Sequence, residues 1–387
     1  MPGHAWRYAI YDLLTRRQLI EHMPFEIESF TTMLGEAGTL QATLPLGDPA
    51  IRARKPRELL LTRRTNLIIF RDEVPVWDGV IWHRRPRREG SKSSATFQAS
   101  EIRSVLERRL FRPLLGYGSA KTLSYTQADM FTVFRDLLAD AQNFTYLDLR
   151  PGDLGIEADA SQMSGVLIDR RDAGSELGAF HGYTFTTYGQ LLRDLVEGDP
   201  GMEWRIHTWI DEGRALRRRV LLGSPQLGGD PNASPLPTYE YPGQIYSYEW
   251  PDDGEQSANY VAALGEGEGD NLRWAESSLD DELLAGYPLL ETVTSHKSDS
   301  SLVILQGRAA ADLAAVSGDR TVPSLDIVGY PQINPGAYIR VRIADENWFP
   351  GSSAVPFEAV VRVVGLRIQP GGRERTSLII EEPRSPA

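Results

Sequence analysis

Alternation of apolar and polar residues marks much of the first hundred positions. Phe25, Ile27 and the aromatic Phe30 alternate with Glu26 and Glu28, and Leu40, Ala42 and Leu44 alternate with Gln41 and Thr43. Successive side chains of an extended chain leave opposite faces, so the pattern predicts half-buried antiparallel strands. Arg7–Leu14 and Leu19–Ile20 flank a polar turn, Thr15-Arg16-Arg17-Gln18. Leu59–Phe70 runs into a charged turn at Asp72-Glu73, and the chain returns through Val74–Ile81. A last strand, Ala95–Ala99, leads into Glu101–Leu110, where Ile102, Val105, Leu106 and Leu110 have helical spacing.

Beyond residue 110 the pattern changes. Arg112–Ser124 is a connector containing Pro and Gly. Thr126 is expected to start a helix, with Asp129 as a capping-box-like partner and Met130, Val133, Phe134, Leu137, Leu138 and Ala141 as one apolar stripe. Residues 143–182 read as irregular, with short strands at Tyr146–Leu149 and Gly165–Arg170. A second helix follows Thr187, where Gln190 completes a Thr-x-x-Gln box. Met202–Ile210 and Leu216–Leu222 form a hairpin around Asp211-Glu212-Gly213-Arg214, followed by a Pro/Gly-rich loop over 223–243. Ile245–Trp250 and Asn259–Leu264 are strands, and a third helix lies near Leu302–Val316, capped by Asp299, Ser300 or Ser301. The end is all β: Ser324–Gly329, Tyr338–Ile343, Phe357–Gln369 and Thr376–Glu382. The expected class is α+β, mainly β, with several domains and no tandem repeat.

Composition narrows the function classes. The 387 residues suit two to four domains. Gly 35 and Pro 25 favour turns over long helices. No apolar run approaches the roughly 18 residues of a membrane span. Met1-Pro-Gly-His-Ala-Trp-Arg lacks the apolar core of a signal peptide. Synthesis in a cytoplasm is therefore expected, with any exit by another route, such as assembly into a virion released by lysis. The absence of cysteine excludes disulfides, thiolate zinc sites and cysteine nucleophiles. Basic residues are 37 Arg and 4 Lys, a skew that a GC-rich genome produces, although Arg also favours interface ion pairs.

The net charge of −12 is unevenly placed. Residues 1–110 hold 18 basic and 13 acidic side chains, whereas 251–300 hold 12 acidic and 2 basic. A general nucleic-acid-binding surface would be basic, so that class is disfavoured. The asymmetry fits complementary faces in an assembly, and it equally fits an ordinary solvated acidic surface.

The order of elements resembles the first domain of the baseplate hub, or tail-hub, proteins of tailed bacteriophages, with the siphophage minor tail proteins among them. The matching pieces are the hairpin at Trp6–Ile20, the Gly-Thr-Leu-Gln-Ala-Thr-Leu-Pro-Leu strand at 38–46, the Trp77-Asp-Gly-Val-Ile81 strand and the closing helix at 101–110. The resemblance extends to Gly286-Tyr287-Pro288-Leu289-Leu290-Glu291 and the helix after Ser301. It implies a structural, non-enzymatic protein of the virion tail tip, usually a homotrimeric ring. Two barrel-like β hub domains are implied, at 1–110 and at 201–250 with 321–387, besides an α+β domain at 111–200 and an inserted α/β domain at 251–320. The implied partners are further copies of the chain, a distal tail protein or tail tube end, a tape measure protein and a central fibre, with phage DNA passing without specific binding. No cofactor is implied.

Candidate chemistry is sparse. Gly265-Glu266-Gly267-Glu268-Gly269-Asp270 superficially resembles a phosphate loop, but its carboxylates would repel phosphate and no Gly-Lys-Ser/Thr follows. It reads as an acidic loop. His4, His22, His83, His181, His207 and His296 form no ligand pair, and no Gly-x-Ser-x-Gly elbow occurs. Paired carboxylates such as Asp252 and Asp253 leave a glycosidase open on sequence grounds. The rival classes are thus a tail-associated cell-wall hydrolase and a host-carbohydrate-binding module, the latter on Trp204, Trp209, Tyr246, Tyr248, Trp250 and Trp274. Those aromatics lie in strand-like runs, where they are ordinary packing residues. After Glu381-Glu382 only Pro383–Ala387 follow here, so an appended lytic domain is not expected. Interface candidates are Trp77, Arg84, Arg85, Arg87, Arg88, Arg217 and Arg219. Lumen or acidic-face candidates are Asp252, Asp253, Glu266, Glu268 and Asp270.

Overall fold

In the computed structural model, the alternating first hundred residues become seven strands: β1 (Trp6–Asp12), β2 (Gln18–Ile20), β3 (Glu26–Met33), β4 (Thr39–Pro45), β5 (Thr65–Arg71), β6 (Val74–Glu89) and β7 (Lys92–Glu101). The structure describes residues 6–112, 121–172, 178–196, 201–232, 235–255, 257–297, 299–318, 323–345, 347–349 and 356–381. Most of the 113–124 stretch and the end of the strand expected to reach Glu382 lie outside them. Among the described residues, strand content of 43% against 19% helix makes the class α+β, mainly β. The chain divides into two compact units, Met1–Ser247 with Leu325–Ala387, and Tyr248–Ser324.

The large unit is organised by one sheet of order β2-β1-β5-β6-β7-β4-β3, continuing through Phe357–Gln369, Arg375–Glu381, Ser324–Val328 and Ile245–Glu249. Tyr338–Ile343 adds to Phe357–Gln369 and pairs in parallel with Thr238–Tyr241. The seam is β3 against Phe357–Gln369, antiparallel, with Gly365 opposite Met33 and Ile368 opposite Phe30. The Met33 side chain lies over Gly365, so a β-carbon there would require the flexible end of Met33 to move. This pairing joins the two regions that were expected as separate barrels. Among the described residues the sheet stays open, with no closed barrel.

Local differences from the sequence reading have tertiary causes. Residues 102–108 form a 3-10 helix. Tyr125–Asp129 is a strand, because it pairs with Leu167–Arg170 and the Gln127 amide donates to Asp169 at 3.0 Å. The helix therefore starts later, at Met130–Gln142, with Asp129 as its N-cap. Asp129 accepts from the Phe131 amide at 3.0 Å and from the Ser164 and Gly165 amides at 2.9 and 3.0 Å. Tyr146 and Leu149 pair only with each other across a tight turn. Thr187 caps the Tyr188–Val196 helix by accepting from the Gln190 amide at 3.1 Å. The two helices share a core with Ile102, Leu106, Phe111 and Trp204, where Phe134 meets Trp204 edge-on at 5.2 Å.

Beneath β5 and β6 lies the hairpin of Glu203–Ile210 and Leu216–Gly223. Leu216, Arg218, Val220 and Leu222 face inward by strand parity. Arg218 is fully buried. Its Nε donates to Asp78 Oδ2 at 2.6 Å, Nη2 to Asn66 Oδ1 at 2.6 Å and Nη1 to the Leu154 carbonyl at 2.7 Å. Asp78 also accepts from Asn66 Nδ2 at 2.7 Å and Thr208 Oγ1 at 2.8 Å. One charge pair thus ties β5, β6, both strands of the hairpin and a loop.

Three changes test this packing. Trp77 is 3% exposed, donates Nε1 to the Thr31 carbonyl at 3.0 Å and meets Phe30 edge-on. Trp77→Ala should cost about 3–5 kcal/mol, read as a lower urea midpoint. Arg218→Met leaves Asp78 buried without its counter-charge and should cost about 3–5 kcal/mol. Arg217→Ala, on the outward face of the same strand, should barely move the midpoint, and equal shifts for the two arginines would refute the clamp. Burial opposes ionisation of Asp129, but hydrogen bonds from Ser164, Gly165 and Phe131 outweigh it and hold the carboxyl below its usual value. A depressed carboxyl stabilises the fold above its unfolded value and loses that contribution as pH falls through the native one. Asp129→Ala should cost about 1–2 kcal/mol at neutral pH. The gap to wild type should close below about pH 4, and a gap constant with pH would contradict the ionised cap.

Candidate functional site

A cleft of about 540 Å³ opens where β6, β7 and Glu203–Ile210 meet the Tyr330–Pro335 segment. Its polar walls are Glu101, Arg103, Arg205 and His207, and Trp77 with Ile333 supplies apolar surface. Burial pushes the Glu101 carboxyl up, against the Gly38 amide that donates to it at 2.8 Å. Burial pushes Arg103 down. Its guanidinium donates to the Leu34 and Gly35 carbonyls at 2.8 and 3.1 Å and lies over the Trp204 ring at 4.1 Å. Burial also lowers Arg205 and His207, and the cations Arg205 and Arg219 lower His207 further. Asp78, at the cleft's edge, belongs to the Arg218 clamp. The carboxylates here hold backbone, hydroxyl and arginine groups in place: Glu101 takes the Gly38 amide and the Thr32 hydroxyl, and Asp78 takes Thr208 and Arg218. The described residues contain no group of three His, Asp or Glu side chains able to hold a metal ion.

The sequence candidates fall in three places. Trp77 is inside the large unit. Arg84, Arg85, Arg87 and Arg88 lie on the β6–β7 hairpin beyond Val80, where β6 loses its β5 neighbour. Arg84 is half-buried and donates to the Arg57 and Leu60 carbonyls at 2.8 and 3.0 Å. Arg85, Arg87 and Arg88 are exposed, with Arg87 3.0 Å from Glu89. Arg217 and Arg219 are exposed on the other hairpin, Arg217 beside Asp211 at 2.8 Å and Arg219 over the Trp209 ring. Asp252, Asp253, Glu266, Glu268 and Asp270 are all exposed in the small unit. The first two precede its sheet, and the last three form the turn between strands Tyr260–Leu264 and Trp274–Ser278.

Two buried arginines were not among the candidates. Arg218 was legible, since it shares strand parity with Leu216 and Val220. Arg362 was not, because its strand buries long runs on both faces. Arg362 donates to Glu203 Oε1 at 2.9 Å and to the Leu227 carbonyl at 2.8 Å, and Glu203 in turn accepts from the Leu227 amide at 2.8 Å.

No family model matches the chain, and no curated protein does. Solved structures do. The tail protein from Neisseria meningitidis MC58 matches at 15% identity and TM-score 0.57, over 97% of each chain. The 43 kDa tail protein of prophage MuSo2 from Shewanella oneidensis matches at 8% identity and TM-score 0.57, over 98% of this chain and 99% of that one. A chain of the lidded Francisella PdpA–VgrG complex matches at 10% identity and TM-score 0.54, and this chain spans about half of it, 54%. The architecture expected from the order of strands and helices is therefore met at the level of fold: the chain has the fold of phage tail proteins.

Proposed function

We propose that the chain is a structural hub of a phage tail tip. A homotrimeric ring would join the tail tube to the receptor-binding tip and frame the exit for DNA. The observation that supports this best is the end-to-end fold likeness to two tail proteins of the same length class. In this reading 1–110 and 201–250 with 321–387 are two ring domains, side by side at the seam between β3 and Phe357–Gln369. The segments 111–200 and 251–320 are their attachments. A distal tail protein or tube end, a tape measure protein and a central fibre are the neighbours.

The mechanism is steric, and the protein acts without catalysis. A ring is a heterologous assembly, in which one face of each subunit complements a different face of the next. Acidic surface along the DNA path would keep the polyanion moving by like-charge repulsion. Salt bridges between a basic and an acidic face would weaken with salt, being screened over about 8 Å at physiological ionic strength.

The purified chain should form rings of three in mass photometry, and purified virions should contain it in a multiple of three copies. A copy number outside that series, or absence from virions, would sink the hub reading. Rings that persist unchanged in high salt would remove the electrostatic contribution alone.

A further inference from the structure

The small unit has two layers and one bare face. Its sheet has the order Trp274–Ser278, Tyr260–Leu264, Glu291–Ser295. The Leu302–Val316 helix covers one side through Leu305, Ala309 and Leu313. Thr294 and His296 bond to Asp312 on that helix, at 2.5 and 2.7 Å, which fixes the parity of the edge strand. The opposite side carries Trp274, Glu276, Ser278, Glu291, Val293 and Ser295, all exposed. Trp274 is 50% and Val293 62% exposed. The sheet buries its apolar side, Val261, Ala263 and Ala275, under that helix, and among the described residues of the unit no second layer covers the other side.

The chemistry of the face says what fits it. The unit, residues 248–324, has 15 acidic and 4 basic side chains. Glu266, Glu268 and Asp270 rim one end of the Trp274–Ser278 strand, and Asp280, Asp281 and Tyr287 lie exposed past the other. Carboxylates around open aromatic rings match guanidinium, which pairs with carboxylate and stacks on aromatic faces. The β6–β7 hairpin offers this group in the right form. It reaches past β5, and Arg85, Arg87, Arg88 and Lys92 are exposed on it. Pro86 and the charges keep its free edge from pairing with a stray strand. Arg84 is already pinned by two carbonyls, so the hairpin's base is held before any partner arrives.

We propose that the bare sheet face of the Tyr248–Ser324 unit receives the arginine hairpin of a neighbouring copy of the chain. This rests on the ring reading and names its contact. It assigns Glu266, Glu268 and Asp270 to the subunit interface and not to the DNA path. Each copy would give a hairpin and receive one, as a heterologous contact requires.

The cysteine-free chain allows a direct test. Ser91→Cys marks the hairpin tip and Ser278→Cys the sheet face. With a short bis-maleimide, the double variant should link into closed covalent trimers, and each single variant should remain unlinked. Mass photometry of the same samples reports whether rings exist. Rings without links would overturn the docking and leave the hub reading standing. Neither rings nor links would overturn both. Links between copies without closed trimers would support the docking and remove the ring. A link closing within one chain would overturn the docking. Adding Arg87→Glu with Arg88→Glu should abolish the link, and Glu276→Arg with Glu291→Arg should restore it; a link untouched by reversal would overturn the charge pairing.

Discussion

The Arg218–Asp78 pair is the constraint on which the large unit depends. Both groups are buried, and each is bonded to more than its partner: Arg218 also holds Asn66 and the Leu154 carbonyl, and Asp78 holds Asn66 and Thr208. Two charges out of water are tolerable only with such saturation. What the pair contributes is register. A slip of one residue in Leu216–Gly223 would turn Arg218 outward and bring Arg217 or Arg219 into the core, away from Asp78. The sheet and the hairpin beneath it can therefore meet in one way.

The same device recurs at the other seams. Arg362 ties the C-terminal strands to Glu203 and Leu227. Arg71 bonds Glu374 at 3.0 Å, and Trp6 Nε1 donates to the same carboxylate at 2.8 Å. Each joins segments more than a hundred residues apart. The unit is discontinuous in sequence, Met1–Ser247 and Leu325–Ala387, so its two stretches must recognise each other specifically. Bidentate arginine recognition supplies direction that apolar packing lacks.

This division also marks what a sequence can show. The strands β1–β7 and the stripe from Met130 to Ala141 were legible, because parity and helical period are local. Asp129 was visible as a cap but was placed inside the helix. Its true position depends on Leu167–Arg170 pairing beside it, a partner almost forty residues away. The seam at Gly365 and Met33 was invisible for the same reason on a larger scale: alternation shows that a strand has a face, and nothing in it names the neighbour. The two regions expected as hub domains share one sheet at that seam, and among the described residues this sheet closes no barrel. Of the candidate surfaces, the charge clusters were readable, whereas the bare face opposite the Leu302–Val316 helix needed the register of three strands.

Arginine usage sharpens the contrast between inside and outside. A lysine at 218 could not hold an Asp, an Asn and a carbonyl at once from a fixed plane, because its ammonium is a single compact centre. The buried arginines therefore have an internal reason to be arginine. Those at 85, 87 and 88 have none: their heads are in solvent, and only Arg87 meets a carboxylate, 3.0 Å away on its own hairpin. An exposed pair of that kind is worth little in stability. Mutational bias alone would scatter such residues over the surface. Their concentration on one projecting hairpin, and the concentration of carboxylates with open aromatic rings on the small unit, put opposite charge at two distinct sites of one molecule. A heterologous contact needs two different, complementary sites on every copy, and opposite charge is one way to supply them.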